Sequence, residues 1–310
     1  MYNVIVTGAA GFIGNYLVEE LLKKQIKVFA VIGIGEKHFL RIPENENLII
    51  VEYKFGDYSL IEQNLPDLKY DACINLAWQG VAGEQRGECF VQLGNVQSTA
   101  KLMELLAKKG CKRFLGISSV SEFECDEFVI KNGYRAQNRQ MYAVAKRASH
   151  LFNKVFANEL GVDYINVNLA NIYGEYGNDK LIVHDTIIKL LTGIKTSFSS
   201  GEQYYDFLYV RDVAKGLIAI ADRGQANTAY YLGSNAPMQL KEYLYIIGAK
   251  TTSSSDINLG HNNAVGTSLP KEYFYDEKVS KDTGFLPAYA FDETIERLVI
   301  YYKTHLKKEN

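Results

Sequence analysis

The stretch NVIVTGAAGFIGNYLVEELLKK, residues 3–24, decides the fold of this chain. It opens with NVIVTG at 3–8, a short run of valine and isoleucine that is typical of a buried strand. Beyond this run the apolar side chains recur at helical spacing, through Ile13, Leu17 and Leu21. A strand that passes directly into a helix predicts a sheet whose strands are joined by helices.

The same alternation continues through the first half of the chain. Further strands are predicted at residues 26–32, 48–53, 71–77, 113–119 and 163–170, and long helices at 87–109 and 142–160. Alternating strands and helices predict an α/β fold, a doubly wound parallel sheet that is covered by helices on both faces. Ligands of such sheets bind at the carboxyl ends of the strands.

After about residue 170 the alternation becomes irregular. Helical patterns near 183–193, 212–222 and 291–306 and a strand at 229–233 are separated by loops rich in Gly, Ser and Asn. This organisation predicts two domains. The first is formed by residues 1–170 with about 210–233, and a smaller second lobe is formed by about 171–209 and 234–310.

The composition excludes several classes of protein. The chain has 310 residues and a net charge of −2, and without a cluster of Lys and Arg it has no electrostatic footprint for nucleic acid. Its four cysteines and five histidines lack metal-ligand spacing, so no metal is expected. The sequence contains neither a signal peptide nor a run of about 18 apolar residues. We therefore expect a cytoplasmic protein without membrane contact.

Three glycines, Gly8, Gly11 and Gly14, occupy the junction between the first strand and the first helix. Glycines at this place permit a tight turn, let the backbone approach a pyrophosphate, and allow the helix to pack closely on the sheet. The helix begins near Phe12 and Ile13, and its N-terminus offers free N–H groups and a partial positive charge to phosphates. The junction therefore predicts a dinucleotide-binding site.

Two further patterns each allow two interpretations. Tyr142 and Lys146 stand four residues apart in a helical stretch, so they share a face. They form either an exposed polar pair or a proton-transfer device. Asp57 follows the third strand, where a carboxylate can accept a hydrogen bond from the amino group of adenine. It can equally cap a helix at 60–65.

With these residues in place, the chain resembles the extended short-chain dehydrogenase/reductase family, the nucleotide-sugar epimerases, dehydratases and 4-ketoreductases. The resemblance covers nearly the whole chain, through the motifs VTGAAGFIG (6–14), GD (56–57), NLAW (75–78), RFLGISS (113–119), YAVAK (142–146), NLANIYG (168–174), YDFLYVRDVAKG (205–216) and DTGFLP (282–287). It implies a Rossmann domain that binds NAD(P) and a C-terminal lobe that binds a nucleotide-diphosphate sugar. It also implies a homodimer in which the two long helices pair with those of a second copy.

The resemblance also implies the catalytic residues. Tyr142 matches the general acid/base of the family, and Lys146 would stabilise its phenolate and hold the nicotinamide ribose. Ser119 would hydrogen-bond the reacting sugar oxygen. A free tyrosine has a pKa near about 10, and bringing it to about 7 requires roughly 4 kcal/mol, to which a neighbouring cation contributes.

Binding residues follow from the same resemblance. The cofactor side comprises Gly8, Gly11, Phe12, Ile13, Gly14, Asp57, Leu76, Ala77, Asn95 and Lys146. On the substrate side, Ser121 and Asn171 match positions that contact the sugar or its diphosphate. Tyr205 stands where many relatives carry an arginine that reaches a substrate phosphate, and Arg86 or Arg211 could replace that contact.

The residues after Ser119 narrow the reaction. Dehydratases of the family carry Asp-Glu directly after the catalytic residue, because expelling water requires an additional acid and base. This chain has Val120 and Ser121 there, which disfavours dehydration. Decarboxylases of the family have a glutamate at the position of Ser121. Glu122 lies one residue too far along and, if the strand continued, would face the opposite side. Reduction of a keto-sugar and epimerisation remain.

The second predicted strand bears on the choice of cofactor. It contains no acid that would bind the adenosine ribose, and Lys37 and Arg41 follow closely. This pattern favours NADP over NAD, and with it a 4-keto-6-deoxy nucleotide-sugar reductase. The alternatives are a nucleotide-sugar 4-epimerase with bound NAD, a reductase of a non-nucleotide aldehyde or ketone, and a non-catalytic binding protein.

Overall fold

The computed structural model describes residues 1–131, 140–251, 257–261 and 268–306. Its strands are β1 (Asn3–Thr7), β2 (Lys27–Gly33), β3 (Leu48–Tyr53), β4 (Ala72–Asn75), β5 (Arg113–Ser119), β6 (Asp163–Leu169), β7 (Asn171–Tyr173), β8 (Tyr204–Tyr205), β9 (Phe207–Tyr209), β10 (Ala229–Leu232) and β11 (Met238–Gln239). Its helices are α1 (Phe12–Lys23), α2 (Ser59–Asn64), α3 (Cys89–Lys108), α4 (Ser121–Glu124), α5 (Met141–Leu160), α6 (Ile182–Leu191), α7 (Val210–Arg223), α8 (Leu240–Thr251), α9 (Lys278–Thr283) and α10 (Phe291–His305). The predicted strands and long helices are confirmed, with ends that differ by at most two residues.

The chain forms two compact units. The first consists of Met1–Leu169, Val213–Leu232 and Asp276–Leu286, and the second of Ala170–Asp212, Gly233–Tyr275 and Pro287–Asn310. The sequence placed residues 276–286 in the second lobe, and that assignment is wrong. Within the first unit, α9 packs against β10, and Arg223 Nε donates a hydrogen bond to the Thr283 carbonyl at 2.8 Å. These contacts connect segments far apart in sequence, which local periodicity does not record.

A parallel sheet organises the first unit and confirms the predicted α/β fold. Its seven strands run in the order β3-β2-β1-β4-β5-β6-β10, and each neighbouring pair is parallel. From β1 the chain moves outward through β2 and β3, then returns to β4 on the other side of β1. The loops after β1 and β4 therefore diverge at the carboxyl ends, where ligands of doubly wound sheets bind.

The core of the first unit explains why these residues form strands and helices. Val4, Ile5 and Val6 of β1 are fully buried, as expected for a central strand of a sheet that is covered on both faces. One apolar cluster joins β1, β2 and β5 to α2, α3 and α5, and α3 and α5 pack against each other. Helix α5 ends where Gly161 adopts a φ of 65°, a left-handed conformation that glycine accepts without a steric penalty.

The second unit contains two small two-stranded sheets. Strands β7 and β9 pair in parallel, and β8 and β11 pair antiparallel. Aromatic rings fill its interior, including Phe207, Tyr243 and Phe291, whose centroids lie 4.7–5.8 Å apart. The sequence did not predict these strands, because two or three residues carry no measurable alternation. Across the described residues, every helix is too short or too polar to cross a lipid bilayer.

Candidate active site

The three glycines after β1 have different structural roles. Gly8 has a φ of +65°, and a Cβ atom there would lie 3.0 Å from the Ala77 nitrogen. A Cβ at Gly14 would lie 2.2 Å from the Gly8 carbonyl oxygen, so α1 could not pack against the loop. Gly11 is exposed, and its nearest such contact is 3.1 Å from the same oxygen. Gly8 and Gly14 are therefore required for the conformation and packing of the loop, whereas Gly11 leaves open space on its exposed side.

The start of α1 fits the diphosphate of a dinucleotide. Gly11 is the N-cap residue and has no side chain to occupy the helix terminus, and the first turn contains no acidic residue. The backbone N–H groups of Phe12, Ile13 and Gly14 lie in the first turn, where a helix offers no acceptor of its own. A loop that any larger side chain would fill, beside free N–H groups, is the cradle that a pyrophosphate requires.

Leu76 and Ala77 follow β4 and are tied to the end of β1. Thr7 Oγ1 donates a hydrogen bond to Asn75 Oδ1 at 2.6 Å and accepts one from the Ala77 nitrogen at 3.2 Å. The Leu76 nitrogen donates to the Thr7 carbonyl at 3.3 Å. The structure therefore brings these two predicted residues beside Gly8, at the point where the strand order reverses.

Asn95 forms hydrogen bonds with the backbone of the loop that follows β4. It is buried on α3, and its Nδ2 donates to the Gln79 carbonyl while its Oδ1 accepts from the Gln79 nitrogen, each at 2.8 Å. Gln92, one turn earlier, accepts a hydrogen bond from Trp78 Nε1 at 2.9 Å. These contacts fix the loop and the Trp78 ring. A direct contact between Asn95 and the cofactor remains a prediction.

Asp57 hydrogen-bonds to the first residue of α2, Ser59, although the N-cap residue of that helix is Tyr58. Its Oδ1 accepts hydrogen bonds from the Ser59 nitrogen at 3.1 Å and from Ser59 Oγ at 2.7 Å. These two hydrogen bonds lower the pKa of the Asp57 carboxyl and stabilise the start of α2. Its proposed contact with adenine stays a prediction.

A carboxylate that the sequence analysis missed lies at the carboxyl end of β2. Glu36 folds back from the turn Glu36–Phe39, and its Oε2 accepts a hydrogen bond from the Gly33 nitrogen at 2.8 Å. A Cβ at Gly33 would lie 2.7 Å from the Glu36 carboxyl carbon. Glu52 of β3 is close by and accepts from the Gly35 nitrogen at 3.3 Å. An acid three residues beyond β2 therefore lies at the carboxyl end of a strand that contains no acid itself.

The predicted catalytic residues converge at the end of β5. Ser119 is the last residue of β5, and its side chain is close enough to that of Tyr142 on α5 to lower the pKa of the tyrosine. One turn along α5, Lys146 Nζ donates to the Ile117 carbonyl at 2.9 Å and lies 3.6 Å from the centroid of the Trp78 ring. Tyr142 and Lys146 are both buried. This contradicts the interpretation of the pair as exposed helix surface.

Among the described residues, Arg86 provides the cation that lies nearest to the Tyr142 ring. Its guanidinium carbon is 4.0 Å from the ring centroid, against 5.6 Å for Lys146 Nζ. Arg86 also donates to the Val81 carbonyl at 2.9 Å and to Ser121 Oγ at 3.1 Å. The Ser121 nitrogen in turn donates to Ser119 Oγ at 3.2 Å. Arg86 and Ser121 therefore lie within the catalytic cluster, and their contacts with substrate remain predictions.

The electrostatics of the cluster differ from the expectation for a tyrosine held as phenolate. Burial raises the pKa of Tyr142, while the Arg86 cation and the hydrogen bond to Ser119 oppose that effect. Burial lowers the pKa of Lys146 to about 7, Glu122 raises it, and Arg86 lowers it further. In the protein alone the tyrosine is therefore a proton donor, and the lysine can lose its charge near neutral pH.

Glu122 faces the protein interior, but not for the reason that the sequence suggested. Because β5 ends at Ser119 and residues 121–124 form the single turn of α4, strand alternation does not apply. The Glu122 side chain is 1% exposed, and its Oε2 lies 2.9 Å from Nδ1 of His150 on α5. The contact between Glu122 and His150 could not be predicted from the sequence. The sequence does show that His150 stands four residues after Lys146 on α5, so these two side chains share one face of the helix.

The remaining predicted residues lie in the second unit. Asn171 Nδ2 donates to the Asp206 carbonyl at 3.2 Å, and Arg211 contacts the Tyr209 hydroxyl through a side-chain hydrogen bond. The ring of Tyr205 stacks on Phe207 with 5.6 Å between centroids. Binding of a substrate diphosphate by Asn171 and Arg211 remains a prediction.

Comparisons with known proteins agree with this geometry. The sequence profile described as the NAD dependent epimerase/dehydratase family matches residues 4–233. A dTDP-glucose 4,6-dehydratase from Xanthomonas campestris pv. campestris is 26% identical, over 97% of this chain and 93% of that protein. A dTDP-6-deoxy-L-talose 4-dehydrogenase (NAD(+)) from Aggregatibacter actinomycetemcomitans is 27% identical, over 68% and 77%.

A solved structure shows the same fold. The UDP-N-acetylglucosamine 4-epimerase from Methanobrevibacter ruminantium M1, in complex with UDP-N-acetylmuramic acid, superposes with a TM-score of 0.82. It is 22% identical and covers 98% of this chain and 99% of its own. These three proteins carry the names of three different reactions, so overall similarity does not select among them.

Proposed function

Because the chain belongs to the NAD dependent epimerase/dehydratase family, whose members act on nucleotide sugars, we propose that it reduces a 4-keto-6-deoxy nucleotide sugar at C4. The observation that carries this proposal is the convergence of Ser119, Tyr142 and Lys146, with Val120 and Ser121 in the two positions that follow Ser119. One proton donor and one hydride suffice to convert a ketone into an alcohol.

The residues beside Ser119 support redox chemistry without dehydration. The hydroxyl of Ser121 accepts a hydrogen bond from Arg86, and a serine cannot supply the acid that water elimination requires. Glu122 is the nearest carboxylate in sequence, yet it is buried against His150 and Asn166. This arrangement favours transfer at a single carbon.

The chain's own residues account for the proton and for the placement of the substrate oxygen. When bound, the nicotinamide supplies the hydride. Tyr142 donates its hydroxyl proton to the substrate oxygen as that oxygen gains negative charge, and Ser119 donates a hydrogen bond to the same atom. The cations of Arg86 and Lys146 then stabilise the tyrosinate. Solvent returns the proton to Tyr142 after each turnover.

For the cofactor we propose NAD(H), in place of the NADP that the sequence of β2 favoured. The Glu36 carboxylate at the carboxyl end of β2 can accept hydrogen bonds from ribose hydroxyls, and its charge repels a 2′-phosphate. Glu52 adds a second negative charge near the same strand end. A relative named as an NAD(+)-dependent 4-dehydrogenase of a 6-deoxy sugar gives a precedent for one-step C4 chemistry with this cofactor.

A substrate panel tests the proposed reaction. Purified protein is mixed with NADH or NADPH and with dTDP-, CDP-, GDP- or UDP-linked 4-keto-6-deoxy sugars, and nicotinamide absorbance and sugar products are followed together. We expect stoichiometric consumption of NADH with one of these sugars, and a rate lower by about 10²–10⁴ with the Tyr142→Phe control. Interconversion of two epimers without net NADH consumption would instead identify a 4-epimerase. Release of water from a 4-hydroxy sugar would identify a dehydratase.

We also propose that the protein is a homodimer. Six large apolar side chains on α3 and α5 are exposed, among them Phe90, Leu93, Phe152 and Val155, with Phe90 87% and Phe152 67% accessible. The two helices pack together, and a second copy of the same surface would cover these side chains as a four-helix bundle.

Sedimentation at micromolar concentration tests the dimer. We expect wild-type protein to sediment as a dimer and Phe152→Asp as a monomer. As a matched control, Ile300→Asp changes a side chain of α10 that is 61% exposed and should leave the dimer intact. A wild-type monomer would refute the proposal.

A further inference from the structure

A small polar cavity lies beside Lys146 within the first unit. Its volume is about 10 Å³, the size that a single water molecule needs. Its polar lining includes Asn75, Ser118, Lys146, Ser149, His150 and Asn166. Ser118 Oγ is buried there and has no hydrogen-bond partner among the described residues. The cavity therefore joins Lys146 to a polar interior that the proposed reaction does not use.

Glu122 anchors that interior. Its Oε2 lies 2.9 Å from His150 Nδ1, and its Oε1 accepts a hydrogen bond from Asn166 Nδ2 at 3.1 Å. Both partners also line the cavity. Arg147 Nη1 is 3.7 Å from the same carboxylate. Burial of a carboxylate costs several kcal/mol, so a carboxylate held in this way calls for an explanation beyond local packing.

Within the described parts of the chain, the immediate contacts of the Lys146 ammonium do not include a negatively charged partner. Its ammonium contacts a neutral carbonyl of β5, Ile117, and the π face of Trp78. From its own helix α5, Tyr142, Arg147 and His150 face it or its partners, and none of them is an acid. Arg86 adds a further positive charge from the turn Glu84–Gly87. Among the described residues, Glu122, on α4, is the carboxylate whose charge raises the pKa of Lys146.

We propose that Glu122 is a positioning residue that favours the protonated form of Lys146, and that His150 and Asn166 hold its carboxylate beside the polar cavity. Without this negative charge, burial and Arg86 would favour the neutral amine, which neither stabilises the tyrosinate nor donates as effectively to a ribose oxygen. The consequence for catalysis rests on the proposed function. The charge of Lys146 itself can be measured without any substrate.

The test follows the protonation of Lys146 directly. Protein containing lysine labelled with ¹³C at Cε is titrated by NMR, and the Lys146 resonance is the one that disappears in Lys146→Met. Glu122→Gln keeps the shape and can still accept from Asn166, so it removes mainly the charge. We expect its Lys146 midpoint to fall by about one pH unit, and Glu122→Asp to stay within a few tenths of a unit of wild type.

Two more variants separate charge from packing. Asp126 pairs with the same Arg147 at 3.0 Å but is partly exposed, so Asp126→Asn is the matched control and should not move the midpoint. His150→Gln removes the principal hydrogen-bond partner of Glu122 without removing its charge, so the Lys146 midpoint should rise or remain unchanged. This variant also carries the test if Glu122→Gln does not fold.

The outcomes are distinct. A folded Glu122→Gln protein with the wild-type Lys146 midpoint overturns the proposal, and so does a His150→Gln protein in which the midpoint falls. If a substrate is turned over, the alkaline limb of the kcat profile should move to lower pH in Glu122→Gln by the same amount. If the NMR result is as expected and no keto-sugar is reduced, the inference about Glu122 stands and the proposed function fails.

Discussion

The glycine loop and the Tyr142 cluster lie at the carboxyl edge of one sheet, yet they are built from different materials. The loop is made of backbone, and its function depends on the space that Gly8, Gly11 and Gly14 leave open. The cluster is made of buried side chains, whose charges depend on partners from other elements, such as Arg86 and Glu122. A side chain that fills the loop should therefore abolish cofactor binding, whereas changes in charge or in the proton donor should impair catalysis by the cluster.

The largest effect is expected when a side chain fills the space in the glycine loop. In Gly11→Val the branched side chain would occupy the exposed space above the loop, so we expect NAD(H) binding to be abolished while the fold survives. Isothermal titration and thermal unfolding measure the two effects. Gly94 of α3 has open space around it, so Gly94→Val is the control. Cofactor affinity like that of the wild type in folded Gly11→Val would contradict the assignment of the loop.

Removal of one hydroxyl should break the cluster without affecting the loop. Tyr142→Phe keeps the ring that packs beside Arg86 and Trp78 but removes the proton donor. We expect kcat to fall by about 10²–10⁴, with cofactor affinity and unfolding temperature close to those of the wild type. These are measured by steady-state kinetics, titration and calorimetry. A decrease of less than tenfold would indicate that another group donates the proton.

The buried lysine should lower stability in a way that depends on pH. Burial lowers the pKa of Lys146 from 10.5 to about 7, so between these values the unfolded chain binds the additional proton and stability falls as pH falls. Lys146→Met removes this cost. We expect the free energy of unfolding of Lys146→Met, relative to that of the wild type, to rise by up to a few kcal/mol as the pH is lowered from about 10 to about 7. Thermal unfolding at each pH measures this difference.

The control for this measurement is a lysine on the surface. Lys108 of α3 forms only an exposed pair with Glu104, so the stability difference between Lys108→Met and wild type should show little dependence on pH over the same interval. If the stability difference between Lys146→Met and wild type does not change with pH, folding does not lower the pKa of Lys146.

The smallest expected effect concerns the choice of cofactor. Glu36→Ser removes the carboxylate that lies at the end of β2, so NADPH binding should improve relative to NADH by about tenfold, or about 1.4 kcal/mol. Glu44→Ser, in the same exposed loop, is the control. Tighter NADPH binding by wild-type protein, lost when Lys37 and Arg41 are changed to Ala, would instead support the preference that the sequence suggested.

Sequence reasoning alone predicted the parts of this protein that depend on local regularity. Strand–helix alternation predicted the parallel sheet, and the spacing of Gly8, Gly11 and Gly14 predicted the loop, because backbone geometry is set by neighbouring residues. Tyr142 and Lys146 were found for the same reason, since four residues make one helical turn. Ser119 was recognised by family resemblance at the end of a strand that the structure confirms.

The surroundings of these residues became known only from the folded chain. Glu36 reaches the end of β2 by folding back over a turn, Glu122 meets His150 and Asn166 across 28 and 44 positions of the chain, and residues 276–286 join the first unit. Each of these contacts unites segments that are distant in sequence or directed by an irregular turn, so no local period encodes it. The charge of a buried lysine depends on those same contacts, because desolvation and the nearest carboxylate act through space and not along the chain.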